Sequence, residues 1–380
     1  MFEKELISLK KQDLLRHLKT RSSRQGPVIA IAGRRYINFV SNDYLGLAVH
    51  TDIIKAAQDA AARFGVGAGS SRLLAGGTVL HERLEKTVAD FKGTGAALVF
   101  NSGYAANTGI IPAIAGEGDA VFSDALNHAS IIDGCRLSRA EKHIYRHRDV
   151  AHLEAMVKKE KNVRRKIIIT DSVFSMDGDV APLADLAELA KKYGAILYID
   201  DAHGTGVLGR GRGGLEHFKV RPEPWIIQMG TFSKALGTFG AFAAGSRDMI
   251  DWLINASRSF IYSTALPPPV VAASLAAVRL VRKDKSLVSG LLKNRRHLAG
   301  GLQRLGFDIM ESETPIISVR TGTVKRASAL SEYLYRKGIY APAIRPPTVL
   351  EPRIRLTVTA AHTEGQIEKL LRVVKTYGKS

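Results

Sequence analysis

Apolar positions along this chain gather in short uninterrupted runs. AALVF (96–100), DAVFS (119–123), KIIIT (166–170), AILYID (195–200) and WIIQM (225–229) are too continuous for half-exposed strands and too short for helices. Segments with helical spacing separate them, for example LADLAELAKKY at 183–193. Strands buried on both faces and joined by helical crossovers predict an α/β fold with a mostly parallel sheet. In such sheets ligands collect beyond the carboxyl ends of the strands. The polar residues just after each run are therefore the candidates for chemistry.

Upstream, Thr51 reads as the cap of a helix, TDIIKAAQDAAARF, that stops at Gly65. A glycine-rich stretch, GVGAGSSRLLAGG, leads to a second helix over about 78–91. After the prolines at 267–269 a helical stretch runs to about Leu305, broken near Asp284 and Lys285. Strand candidates follow at 307–310, 315–319 and 353–358, with helices at about 323–337 and 363–376. The expected division is an N-terminal arm over 1–50, a large domain over 51–283 and a smaller α+β domain over 284–380.

The first 18 residues read as an amphipathic helix, with acidic residues and no signal-peptide core. No apolar stretch approaches the roughly 20 residues of a membrane span. The one cysteine, Cys135, excludes an intramolecular disulfide and a cysteine-based metal cluster. A soluble cytoplasmic protein without a membrane partner is expected. The net charge of +19 changes this picture little, because the basic residues are dispersed. The densest clusters, KKEKNVRRK, RHR and RSSR, lack the interleaved aromatics of a nucleic-acid platform, so no nucleic acid is expected. A solvated basic surface, or an anionic substrate or partner, fits the charge instead.

Five features follow the strand runs. AALVF leads into NSGYAANTG, where the N–H groups of Gly103 and Tyr104 either open a helix toward a phosphate or make an ordinary turn. SDALNHAS places His128 after a strand, as a ligand contact or a capping residue. DSVFSMDGDVAPL holds Asp171, Asp177, Asp179 and two serines, much of which fits turn chemistry. Asp200 ends AILYID, and a carboxylate there needs a cation or donors; His203 and the glycines at 204 and 206 follow. Lastly, Lys234 stands between Gly230 and Gly237 with Thr231 and Ser233 beside it.

Together these parts suit pyridoxal phosphate. The lysine condenses with the cofactor aldehyde from its deprotonated form, and a buried acid pairs with the pyridine nitrogen. His128 over the ring face and helix N–H groups at the phosphate complete the set. The competing reading is a divalent metal on His128, Asp200, Asp201 and His203. It leaves Lys234 and the glycine-rich turns without a role, so no metal is expected.

The motifs SNDYLGL (41–47), GSSRLLAGG, NSGYAAN, NHAS, FSMDGD, DDAHGTG, TFSKALG and LTVTAAH (356–362) form an ordered set over nearly the whole chain. It closely resembles that of the α-oxoamine synthases, a branch of the aspartate-aminotransferase-like, fold-type I pyridoxal-phosphate enzymes. The resemblance implies a large mostly parallel-sheet domain, a smaller C-terminal α+β domain, and a homodimer with its active site at the interface. It makes Lys234 the cofactor-bearing lysine and proton-transfer base, Asp200 the partner of the pyridine nitrogen, and His128 the residue over the ring. His203 and Ser175 fall near the phenolic oxygen, although Ser175 equally fits a turn. The Gly103–Tyr104 backbone and the Thr231 hydroxyl fall at the phosphate. Asn42, Thr348 and Arg355 face the substrates, with the planar fork of Arg355 suited to an amino-acid carboxylate. Arg16 is a candidate for the acyl end.

Within the branch, AIRPPTV at 343–349 is most similar to members that join L-alanine to a pimeloyl thioester, carried on coenzyme A (pimeloyl-CoA) or on an acyl carrier protein. One departure is visible: the proline often found after TV is Leu350 here, with Pro352 later. A sister synthase using glycine, an ordinary aminotransferase and a non-enzymatic basic binding module are the alternatives.

Overall fold

The computed structural model describes residues 1–12, 14–15 and 18–377. Its centre is a seven-stranded sheet in the order Ala96–Phe100, Ala241–Gly245, Ile226–Thr231, Ile196–Asp200, Lys166–Asp171, Ala120–Asp124, Glu141–Tyr145. Every pairing is parallel except those of Ala241–Gly245, which runs antiparallel to both neighbours. All five apolar runs are strands, shifted by no more than two residues at an end. The two strands without such a run differ in composition. AFAAG (241–245) is built of small residues, and EKHIY (141–145) is a largely exposed sheet edge.

Apolar side chains cover both faces, as continuous runs require. On one face Ile110, Ile111 and Ile131 pack against Leu98 and Ile169. On the other, Leu183, Leu186 and Leu153 pack against Phe122, Ile168 and Leu197. The helices Thr51–Phe64, Val79–Lys92 and Pro268–Lys283 build a further core beside them.

The cap of Thr51–Phe64 is His50 rather than Thr51. His50 has extended backbone, and its Nδ1 accepts from the Asp52 N–H at 3.3 Å, which leaves Thr51 as the first helical residue. Gly65 ends that helix at φ 78° as expected. The long C-terminal helical stretch breaks at Asp284, whose carboxylate accepts the Ser286 N–H at 2.8 Å.

Beyond it, Ile316–Arg320, Arg353–Thr357 and Ala343–Ile344 form a small antiparallel sheet. The strand expected at 307–310 reduces to a single bridge, Ile309 with Val319. A third sheet joins Val28–Ile31 and Arg34–Asn38 to Ile339–Tyr340, so residues of the N-terminal arm pair with the C-terminal part. The terminal helix spans only Glu3–Lys11 and buries none of its residues. No helix among the described residues is long and apolar enough to cross a membrane.

Candidate active site

Three adjacent strands end side by side, with Asp171 in register with Asp200 and Asp200 with Met229. The turn after Thr231 carries Lys234 to the same edge. Asp200 is buried. Its Oδ2 accepts the Asn107 amide at 2.8 Å and its Oδ1 the Ala202 N–H at 3.0 Å. Asn107 can present only its nitrogen there, because its oxygen takes the Tyr198 hydroxyl at 2.6 Å and its NH2 also reaches Ser130 Oγ at 2.8 Å. Asp171 accepts the His128 N–H at 2.8 Å. Burial and the neighbouring Asp200 charge push the Asp171 carboxyl well above the usual carboxylate range.

The next residue along, Asp201, faces the other way. It binds Lys92 Nζ at 2.7 Å, Ser172 Oγ at 2.6 Å, Thr205 Oγ1 at 2.8 Å and the Gly214 N–H at 3.0 Å. Alternation at the strand end thus divides the two carboxylates between the site and the core. The metal reading loses a ligand by this division. Among the described residues, the grouping of side chains spaced for an ion is Glu141, His143 and Glu160, on the far edge strand and the loop after the next helix.

Around Asp200 the electrostatics tie one cluster together. Burial lowers the Lys234 amine below the usual lysine range; Asp200 and Asp171 oppose that, and Arg355 adds to it. His128 caps the helix Ala129–Leu137 through Nδ1, which accepts the Ser130 N–H at 3.2 Å and lies 2.7 Å from Ser130 Oγ. Its pKa is lowered by burial, raised in part by Asp200 and lowered by Lys234.

His203 is buried, and burial followed by the Lys234, Arg355 and His128 charges holds it well below the usual histidine range, hence neutral. The Tyr44 hydroxyl lies between His203 Nδ1 at 2.7 Å and Asn42 Oδ1 at 3.2 Å. Asn42 Oδ1 also accepts from Arg355 Nη2 at 3.3 Å, while Arg355 Nε donates to the Ser175 carbonyl at 2.5 Å. Lys234, Asp200, His128, His203, Asn42, Ser175 and Arg355 are thereby brought together.

The segment expected from the sequence to meet a phosphate is less crowded. Ser102 Oγ accepts the Ala105 N–H at 3.1 Å and caps the helix Gly103–Ile114. Helix geometry leaves the Gly103 and Tyr104 N–H groups without intrahelical acceptors. The exposed Tyr104 side chain turns aside to Asp133. Thr231 donates to the Gly240 carbonyl at 2.7 Å and lies 2.6 Å from Ser233 Oγ, so its hydroxyl would turn to meet a phosphate.

The glycines near Lys234 hold protein rather than ligand. A Cβ at Gly237 (φ 66°) would lie 2.4 Å from the Ala48 nitrogen, and one at Gly206 (φ 82°) would lie 2.5 Å from the Ala235 Cβ. The lysine turn is thus locked against neighbouring backbone. Thr348 lines a cavity of about 490 Å³ together with Ser175 and Arg353. Arg16 lies outside the described residues.

The residues present fit pyridoxal phosphate: an amine of lowered pKa, a buried carboxylate held by neutral donors, and a helix start rich in free N–H groups. Asn107 and Tyr44 were given no role from the sequence. Both lie inside the motifs NSGYAAN and SNDYLGL, where an inward polar residue among small or apolar neighbours was the available signal.

The profile of the class I and II aminotransferases matches residues 34–374. An 8-amino-7-oxononanoate synthase of Citrifermentans bemidjiense is 49% identical over 383 residues, covering 100% of this chain and 98% of that protein. One of Geobacter metallireducens is likewise 49% identical, with the same coverage. A serine palmitoyltransferase of S. paucimobilis, solved with pyridoxal phosphate and myriocin bound, superposes with a TM-score of 0.94 at 32% identity, covering 100% of this chain and 97% of that one.

Proposed function

The chain belongs to the class I and II aminotransferase family, in its α-oxoamine synthase branch, and from that premise we propose that it condenses L-alanine with a pimeloyl thioester. The products are 8-amino-7-oxononanoate, carbon dioxide and the free thiol. What carries the reading is the Lys234 amine of lowered pKa within the field of the buried Asp200 carboxylate, in a chain alike end to end to synthases of that name.

Asp200 would pair with the ring nitrogen of pyridoxal phosphate, Lys234 with its aldehyde carbon, and His128 with its ring face. The Gly103 and Tyr104 N–H groups and the Thr231 hydroxyl would hold its phosphate. When bound, the cofactor supplies an electron sink for bonds broken at the amino acid's α-carbon.

Lys234 takes the α-proton of alanine, a role favoured by the burial that lowers its pKa and so weights the amine toward its unprotonated form. Arg355 grips the alanine carboxylate, its fork aimed by the Ser175 carbonyl and Asn42 Oδ1. A bond then forms between the alanine α-carbon and the thioester carbonyl carbon, and the thiolate leaves. Arg355 keeps the carboxylate until it departs as carbon dioxide, and Lys234 returns a proton to the α-carbon. Neutral His203, fixed by Tyr44, offers a hydrogen bond without adding a second positive charge beside Arg355.

Thr348 would face the substrates and Arg16 the acyl end, and the net charge of +19 suits either phosphorylated coenzyme A or an acidic carrier protein. A cytoplasmic homodimer is part of the reading. Exposed apolar side chains at Leu73, Leu74, Phe239 and Tyr262 support it.

The test is amino-acid preference. Thiol release from pimeloyl-CoA by the holoenzyme should be fastest with L-alanine. A preference for glycine or L-serine would move the assignment to a sister activity.

A further inference from the structure

His147 stands outside the cluster described above, yet it touches both loops that build it. Its Nδ1 lies 2.9 Å from Asp124 Oδ1 and its Nε2 2.7 Å from Asp179 Oδ2. Two carboxylates on opposite ring nitrogens require two N–H donors, so the ring is an imidazolium; a neutral ring would turn a lone pair on one of them.

Each carboxylate organises a different active-site loop. Asp124 ends its strand, accepts the Leu126 N–H at 2.9 Å, and so shapes the turn that delivers His128. Asp179 closes the segment 174–179: its backbone carbonyl accepts the Phe174 N–H at 3.0 Å, and the Phe174 ring meets His147 edge-on at 4.4 Å. That segment holds Ser175, whose carbonyl aims Arg355. The neighbouring Arg148 adopts a left-handed φ of 57°, from which its N–H reaches Asp124 Oδ2 at 2.9 Å and its guanidinium Asp179 Oδ2 at 3.3 Å. A strained residue held in this way marks a junction that the surrounding contacts over-determine.

We propose that His147, as a charged bridge between Asp124 and Asp179, is a positioning residue that sets the His128 loop and the Ser175–Arg355 contact relative to each other. It stands apart from the Lys234–Asp200 cluster, lines the cavity that also holds Thr348, and acts through those loops. The inference rests on the proposed function and adds to it a pH-dependent element.

The surrounding charges decide the range. Asp124 and Asp179 hold the proton; Arg148 opposes them; Asp177 is engaged by Arg353 beside it. Glu311, Arg320 and Glu351 line the far side of the adjoining cavity. Burial lowers the His147 pKa, but the two aspartates outweigh it and raise it to about 9. A raised histidine pKa keeps the bridge intact below about 6.5 and dissolves it as pH rises through about 9.

The experiment is L-alanine binding to the holoenzyme, read from the cofactor's absorbance between pH 6 and 10. Titration of alanine itself and of Lys234 is common to every variant, so differences between variants isolate His147. At pH 7.5, His147→Gln should weaken alanine binding roughly tenfold, as expected for loss of a partly buried charge-assisted contact. It should also lack the wild-type component with a midpoint near 9. His147→Lys, which restores charge and donors, should bind within about threefold of wild type.

If His147→Gln does not fold, Asp179→Asn tests the bridge from its other end and should move the alkaline fall to lower pH. His147→Gln with wild-type affinity and pH profile, or Asp179→Asn with an unmoved profile, would overturn the proposal alone. A wild-type holoenzyme that binds no alanine at any pH would overturn the proposed function and this inference with it.

Discussion

Asn107 and Asp200 meet with a fixed polarity: nitrogen donates to carboxylate at 2.8 Å because the Asn107 oxygen already accepts from Tyr198. The acid of the site is thus held by neutral donors, the Asn107 amide from the helix Gly103–Ile114 and the Ala202 N–H just after its own strand. Asn107→Ala would leave Asp200 with the Ala202 N–H and the in-register Asp171 beside it. A lost hydrogen bond to a buried charge costs about 1–3 kcal/mol, so kcat should fall by roughly 10- to 100-fold. Asn107→Asp should do worse, since it sets a second carboxylate against Asp200. Steady-state kinetics with saturating alanine check both.

Arg355 is aimed by a carbonyl and an amide oxygen, neither of which supplies charge. Arg355→Lys keeps the cation and loses the fork, and should raise the KM for alanine roughly tenfold or more while cofactor content stays normal. Arg355→Ala should abolish measurable saturation. An unchanged KM in both variants would remove Arg355 from the carboxylate.

Lys92 and Asp201 form a fully buried ion pair, with Ser172, Thr205 and Gly214 completing the shell of Asp201. Removing one partner of such a pair costs about 3–5 kcal/mol, whereas removing both together is far milder. Lys92→Met should therefore lower Tm more than Lys92→Met combined with Asp201→Asn. Thermal unfolding of the holoproteins measures the difference.

Acid should destabilise the fold through histidines buried in the neutral state. Burial lowers His362 to about 4, where its Nδ1 accepts from Thr359 N–H at 3.0 Å and its ring stacks on Phe39. A folded pKa below the unfolded value of about 6.5 gives stability that is complete above 6.5 and lost as pH falls toward 4, about 3 kcal/mol in all. His81, also lowered to about 4, acts in the same direction. His362→Gln should flatten the pH dependence of urea unfolding between 7 and 4.

The central sheet was legible because strands buried on both faces spell themselves as apolar runs, and the candidate cluster of His128, Asp200, His203 and Lys234 because polar residues closely follow those runs. AFAAG and EKHIY escaped for opposite reasons: small residues carry no strand signature, and an exposed edge strand need not be apolar. Contacts between distant segments were the rest. Nothing in the local pattern shows that Asn42 meets Arg355, 313 positions away, or that Asn107 fixes Asp200. Asp200 stands out in the sequence because it ends an apolar run. That its neighbour Asp201 faces a buried lysine is shown only by the fold.

The most direct measurement follows the carboxyl carbon. Purified holoenzyme is given L-alanine labelled at that carbon together with pimeloyl-CoA, and labelled carbon dioxide and 8-amino-7-oxononanoate are quantified by mass spectrometry. The account predicts one labelled carbon dioxide and one unlabelled product per thiol released, and neither from Lys234→Ala. Product that keeps the labelled carbon, or undiminished product from Lys234→Ala, would contradict it.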